Sequence, residues 1–303
     1  MRKLFVLIAC SLAVNVMADL FDLVEHHMVD NEGVAIHYVT VGPSDAPLVV
    51  MIHGFPDYWY TWREQMDVLR SDYRVLAVDL RGYNRSAKPQ GVENYTLDKV
   101  GSDIAAVIAA QEQPSATVVG HDWGGAVAWS IAMNVPEIVE NLIILNLPHP
   151  RGLARELANS EAQQKASQYA FDFQKPDAHK MLTPEVLVGV SQRLSKDKVK
   201  GRYLEAFQRS NMEAMLNYYK ANYPKPGEEF MPEYPTVEVP VLMFHGLQDG
   251  ALLPGALNDT WQWISNSLTL VTIPHASHWV QNDAAEEVNQ VMLDWLKRRY
   301  PRN

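Results

Sequence analysis

Short apolar runs bounded by turn residues recur along the chain, separated by longer stretches in which apolar positions return every three or four residues. The runs fall at 48–52, 75–78, 116–119, 142–145, 241–244 and 268–273. Uninterrupted runs this short suit strands covered on both faces, as in a mainly parallel sheet. Ahead of them, 27–42 reads as a hairpin in which Val34, Ile36 and Tyr38 alternate after a turn at Asn31-Glu32-Gly33. Between the runs, 97–111 places Val100, Ile104, Val107 and Ile108 on one helical face, and 285–298 is amphipathic in the same way. Strand and helix alternate, so the expected class is α/β with a mainly parallel central sheet.

One interval breaks the rhythm. Residues 151–232 hold no credible strand and read as several helices. Thr183-Pro184-Glu185 is a helix start, with a capping hydroxyl, Pro at the first helical position and an acid near the positive dipole end. Pro224, Pro226, Pro232 and Pro235 then mark the return to the sheet. A helical insertion late in a parallel sheet covers the ends of the strands. The expected organisation is therefore a core from 19–150 and 235–303, with a helical cap over 151–234.

Composition narrows the function. The 303 residues carry 26 Lys and Arg against 36 Asp and Glu, a formal charge of −10. With no basic cluster, phosphate neutralisation cannot drive affinity, so nucleic acid is not an expected partner. Residues 1–18 have the plan of a secretory signal: Arg2-Lys3, an apolar run over 4–17, and Val16-Met17-Ala18 before Asp19. The run is shorter than the ~20 residues a membrane span needs, so cleavage after Ala18 and a secreted or periplasmic protein are expected, without stable membrane insertion. Cleavage removes Arg2, Lys3 and the sole Cys, Cys10; 24 basic residues then face 36 acidic ones, near −12. Neither a disulfide framework nor a Cys-based metal site is available. The ten His are scattered singly with no acidic ligand cluster at metal spacing, so no metal is expected.

Chemistry concentrates after the apolar runs. Val118-Val119-Gly120-His121-Asp122-Trp123-Gly124-Gly125 takes a strand through a sharp turn into a helix-like segment. Gly120 and Gly124 flank the central residue as in a nucleophile elbow, with Asp122 where lipases carry Ser. Alone, Gly-x-Asp-x-Gly is equally a plain turn. It is joined by Asp249 after the run at 241–244 and by His278 in the loop after 268–273. Nucleophile, acid and histidine follow in the chain order of the α/β-hydrolase triad. His53-Gly54-Phe55-Pro56, after 48–52, supplies free backbone amides, so the N–H groups of Phe55 and Trp123 can face a developing oxyanion.

This combination resembles the epoxide hydrolases of the α/β-hydrolase fold. His53-Gly54-Phe55-Pro56 with Trp59 and Trp62 is similar to that family's oxyanion-loop motif, and Gly120-His121-Asp122-Trp123-Gly124-Gly125 to its elbow; the likeness extends over nearly all of 24–298. In Asp79-Leu80-Arg81-Gly82-Tyr83-Asn84-Arg85-Ser86, Asn84 stands where the family usually has a second Gly. Asn tolerates left-handed backbone better than other non-Gly residues, so the loop is expected to persist.

A carboxylate nucleophile selects its electrophile. Attack on a carboxylic ester would give a reactive anhydride, whereas displacement at saturated carbon gives an alkyl ester that survives until activated water attacks its carbonyl. An epoxide or an alkyl halide is implied, with His278, oriented by Asp249, as base and with no cofactor. An epoxide further needs an acidic O–H for its departing oxygen. The resemblance implies two cap tyrosines for this role: Tyr169, in Tyr169-Ala170-Phe171-Asp172-Phe173-Gln174-Lys175-Pro176, and Tyr219, in Asn217-Tyr218-Tyr219-Lys220. Met212, Met215, Leu216 and Tyr219 share a helical stripe, which puts Tyr219 inward and Tyr218 off that face. The expected activity is hydrolysis of an epoxide to a vicinal diol. The alternatives are a haloalkane or haloacid dehalogenase, for which Trp123 resembles a halide-binding Trp, and a non-catalytic binder of apolar ligands. His53 and His121 are expected to shape loops, His26 and His27 to belong to the N-terminal strand, and His275 to be structural.

Overall fold

A computed structural model of the protein describes residues 19–190, 197–225 and 233–301. The expected signal segment with Cys10 lies outside the described residues, as do Pro226 and Pro232.

Eight strands form one sheet: β1 (Glu25–Asn31), β2 (Val34–Val41), β3 (Leu48–Ile52), β4 (Arg74–Val78), β5 (Ala116–His121), β6 (Val139–Leu145), β7 (Val241–Gly246) and β8 (Leu268–Ile273). Their spatial order is β1-β2-β4-β3-β5-β6-β7-β8. The hairpin β1–β2 is antiparallel and β2 pairs antiparallel with β4, while every other pairing is parallel. Glu32 and Gly33 both take positive φ, 52° and 84°, so the hairpin turns through two of the three residues foreseen for it, while Asn31 ends β1. β3, β5 and β7 are buried along their whole lengths, as their apolar runs require.

The chain steps from β3 to β4 on one side and then returns to place β5 on the other side of β3. Loops leaving two adjacent parallel strands in opposite directions open a crevice at the strand ends, where ligands bind in open α/β sheets. His53 follows β3 and Asp122 follows β5, on the two flanks of that crevice.

The helices Leu97–Ala109 and Trp123–Asn134 pack together, as do Arg63–Leu69 and Ala285–Arg299. The described residues between β6 and β7 are helical or irregular, including Glu161–Ala166, Gln168–Asp172, Pro184–Val190, Asp197–Arg209 and Met212–Asn222. The Thr183 hydroxyl accepts from the amide of Val186, capping its helix as expected. Hydrogen bonds tie this helical layer to the core. The Tyr203 hydroxyl donates to Asp57 (2.8 Å), the Tyr218 hydroxyl to the Arg81 carbonyl (3.0 Å), and the Asn84 amide to the Ser210 hydroxyl (2.8 Å). No helix among the described residues is long and apolar enough to cross a membrane.

Candidate active site

Asp122 sits between β5 and the helix Trp123–Asn134 with φ 52° and ψ −123°, a conformation that costs a non-Gly residue on the order of 1–3 kcal/mol. The surrounding backbone is close enough to demand the two elbow glycines. A Cβ on Gly120 would lie 2.3 Å from the Gly124 carbonyl oxygen, and one on Gly124 would lie 2.1 Å from that of Ile52. Gly54 is required for a different reason: its Cβ would fall 2.2 Å from Asp122 Oδ1. The glycine clears space for the carboxylate, and the next residue binds it, since the Phe55 amide donates to Asp122 Oδ1 at 2.7 Å. Trp123 opens the following helix, so its amide is among the first-turn donors without an intrahelical partner. Among the described residues, no hydrogen bond joins the Trp123 amide to Asp122.

His278 lies across from the carboxylate. Its Nε2 is 3.5 Å from Asp122 Oδ2, and its Nδ1 is 2.8 Å from Asp249 Oδ2. The side chains of both Asp122 and His278 are almost wholly buried. Burial disfavours the imidazolium, but the two carboxylates outweigh it and hold the His278 pKa well above the usual histidine value. Burial would likewise raise Asp249, yet His278, Asn146 and a backbone amide hold it below the usual carboxylate range.

Asn146 was not legible as a site residue. It follows β6 with φ 41°; its amide donates to Asp249 Oδ2 at 2.7 Å, while its Oδ1 accepts from the Gly246 amide at 3.1 Å. Two backbone amides, of Ala251 and Leu252, supply the other carboxylate oxygen at 2.8 and 3.0 Å. Removing one donor from a buried carboxylate costs on the order of 1.5–3 kcal/mol, so Asn146→Ala is expected to slow base-dependent turnover about tenfold or more. Single-turnover measurement should find the first chemical step much less affected.

His53 and His121 hold loops. His53 Nε2 accepts from the Leu80 amide at 3.0 Å, and His121 Nε2 is 2.8 Å from the His278 carbonyl oxygen. His26 and His27 lie on β1, and His26 stacks on His37, whose Nδ1 is 2.6 Å from the buried Asp79 carboxylate. Asp79 also accepts from the Trp59 amide at 3.1 Å and the Asn84 side chain at 2.8 Å, so one buried acid braces the segment after Pro56. Asn84 has φ 35°, and the left-handed turn persists without the second Gly. Asp57 accepts from the Trp279 indole (2.9 Å) as well as Tyr203, linking the loop after β3 to the residue beside His278. His275 is exposed and pairs with Glu287 at 3.4 Å, away from this cluster.

Tyr169 and Tyr219 border the same cavity as Asp122 and Trp123. Their ring centroids are 6.1 Å apart, and Tyr219 packs edge-on against Trp123 at 5.0 Å. Burial, reinforced by the Asp122 charge, pushes both phenols well above their ordinary pKa, so each remains an O–H donor at any working pH. The expectation for Tyr218 needs correction. It lies off the Met215–Tyr219 stripe but is fully buried, because the helix Met212–Asn222 is clasped on a second side by Arg81, Tyr83 and Tyr95.

Among the described residues there is no group of His, Cys, Asp and Glu able to hold a metal ion. The side chains and amides of the site can perform nucleophilic displacement, proton donation and base-assisted addition of water.

The α/β-hydrolase fold family matches residues 47–285. The AB hydrolase superfamily protein YfhM of Bacillus subtilis (strain 168) is 36% identical over 289 residues, covering 92% of this chain and 100% of that protein. Epoxide hydrolase 3 of Xenopus tropicalis is 32% identical, covering 89% of this chain and 77% of that protein. A crystal structure of the Bacillus megaterium epoxide hydrolase with an inhibitor aligns with a TM-score of 0.81 at 32% identity, covering 89% of this chain and 100% of that one.

Proposed function

The chain belongs to the epoxide hydrolase family of the α/β-hydrolase fold, and from that premise we propose that it converts an epoxide and water to a vicinal diol through an ester on Asp122. The observation that carries the reading is a buried carboxylate held by the Phe55 amide, faced by His278 at 3.5 Å, and sharing a cavity with two phenols. That set supplies a nucleophile, a base and acids for the departing oxygen.

In the first step an Asp122 oxygen bonds to a ring carbon, and the carbon–oxygen bond of the ring breaks. Its electron pair goes to the oxygen, which takes a proton from Tyr169 or Tyr219. The imidazolium of His278 makes good that proton, leaving a neutral imidazole. Esterification also removes the Asp122 charge, one of the two that hold the His278 pKa up. The ring nitrogen is thus left unprotonated, and free to accept a proton, only after the nucleophile has been consumed. In the second step His278 takes a proton from water, hydroxide adds to the ester carbonyl, and the Phe55 and Trp123 amides receive the oxyanion. Collapse expels the alkoxide, which takes the remaining proton of the added hydroxide to become the diol, leaving the Asp122 carboxylate and the imidazolium.

One cycle in ¹⁸O-labelled water tests this route. With enzyme in excess over epoxide, the label is expected in Asp122, and the first diol should carry an unlabelled enzyme oxygen. Label entering the diol directly and leaving Asp122 unlabelled would overturn the covalent route. Halide release from a haloalkane, with no diol from any epoxide, would establish dehalogenation on the same scaffold instead.

A further inference from the structure

The cavity at Asp122 extends to one side. It follows the helix Trp123–Asn134, bordered by Trp123, Ala126, Ser130 and Met133 and ending at the exposed Asn134. Those positions share one helical stripe, and at ~1.5 Å per residue the stripe is about 16 Å long. Leu147, Pro148 and Leu153 form an apolar wall facing it. The volume is about 120 Å³, similar to a cavity that holds a single benzene ring. Spread over such a length, it describes a thin slot rather than a chamber.

Around Tyr169 and Tyr219, which border the cavity beside Asp122, aromatic rings pack together. Phe55 lies 5.3 Å from Phe173 and 5.8 Å from Tyr219, while Phe173 lies 5.1 Å from Tyr219 and 5.6 Å from Tyr169. Among the described residues, neither Phe55 nor Phe173 borders the slot. An epoxide seated over Asp122 therefore has room for a long substituent along the helix and meets a packed aromatic cluster behind the two cap tyrosines.

We propose that the preferred substrates are terminal epoxides bearing one long unbranched apolar chain, which lies in the slot along the helix Trp123–Asn134 while the ring rests on Asp122. The assignment rests on the reading of the protein as an epoxide hydrolase. The narrow section favours an unbranched chain, the apolar walls reward methylenes, and the aromatic cluster disfavours a ring with long substituents on both carbons. Each methylene moved from water into the slot is expected to raise kcat/KM about fourfold.

The experiment measures kcat/KM for the 1,2-epoxyalkanes from butane to decane and for 5,6-epoxydecane. The terminal series is expected to rise about 4 × 10³-fold in all, with the mid-chain isomer at least 100-fold below 1,2-epoxydecane. Ser130→Trp, which fills the slot midway, should lower the decane-to-butane ratio by 50-fold or more; a ratio within one variant is insensitive to partial misfolding. A flat series, a preferred mid-chain isomer, or an unchanged ratio in Ser130→Trp, with diol still formed, would overturn the slot assignment and leave epoxide hydrolysis standing. No diol from any epoxide would overturn the functional reading and this inference with it.

Discussion

Incubated with an epoxide, the His278→Gln variant is expected to stop after its first chemical step, gaining the whole mass of the epoxide on Asp122 while diol release falls about 10⁴-fold. The carboxylate that attacks is untouched by the substitution. Its Phe55 donor comes from the loop after β3, and its strained backbone is fixed by the packing of the elbow. The substitution removes the group able to take a proton from water beside the ester; the cap phenols still hand the departing oxygen its proton, and the imidazolium is needed in that step only to reset the phenol afterwards. Intact mass spectrometry reads the difference, and a peptide map places the added mass. The size of the increment is itself informative. Ring opening adds every atom of the epoxide, whereas displacement of halide adds the alkyl group alone. Protein that stays unmodified under these conditions, or that releases diol at the wild-type rate, would remove His278 from the role of base.

The contrast between what was legible in the sequence and what was not follows from distance along the chain. Apolar runs marked all of the parallel strands; the inner ones are apolar at consecutive positions because both faces are covered, whereas β8, at the sheet edge, was expected to be buried alike and is largely half-buried or exposed. The runs matched β3 and β8 and understated β4, β5, β6 and β7. β4 begins at Arg74, and β5 continues through Gly120 and His121, since ladder pairs such as Leu48–Arg74 and His121–Leu145 need only backbone. The elbow, the acid and the histidine were legible because each follows a strand and their order is fixed by the fold. Asn146 and Asp57 were not, because each acts on a partner far away in sequence, Asn146 on Asp249 and Asp57 on Tyr203 and Trp279. Asp103 is the same lesson within a helix. It sits on the stripe with Val100 and Val107, fully buried, and is tolerated there because Arg81 meets it with two hydrogen bonds of 2.7 Å. Tyr218 shows the limit of a one-face argument, which locates the buried side of a helix packed once but not of a helix packed twice.

Replacing both cap phenols, in Tyr169→Phe with Tyr219→Phe, is expected to slow formation of the Asp122 ester about 10⁴-fold, and Tyr219→Phe alone about 10²-fold. Without an O–H at the ring oxygen, the first step must release a bare alkoxide into a buried, largely apolar cavity, where charge is strongly disfavoured. The raised pKa of both phenols keeps the proton in place until that oxygen becomes basic enough to take it. The single variant retains one donor, so its loss is smaller; the double variant retains none. Packing is preserved in both, because the rings still meet Phe173, Trp123 and each other at the same centroids. Thermal denaturation should therefore shift by less than about 1 kcal/mol in stability while the single-turnover rate collapses. A rival account, in which the two tyrosines are cap-core aromatics, predicts the same stability and an unchanged rate. Rapid-quench detection of the Asp122 ester separates the two: a double variant alkylated as fast as wild type would leave the rings as packing and send the search for the acid elsewhere in the cavity.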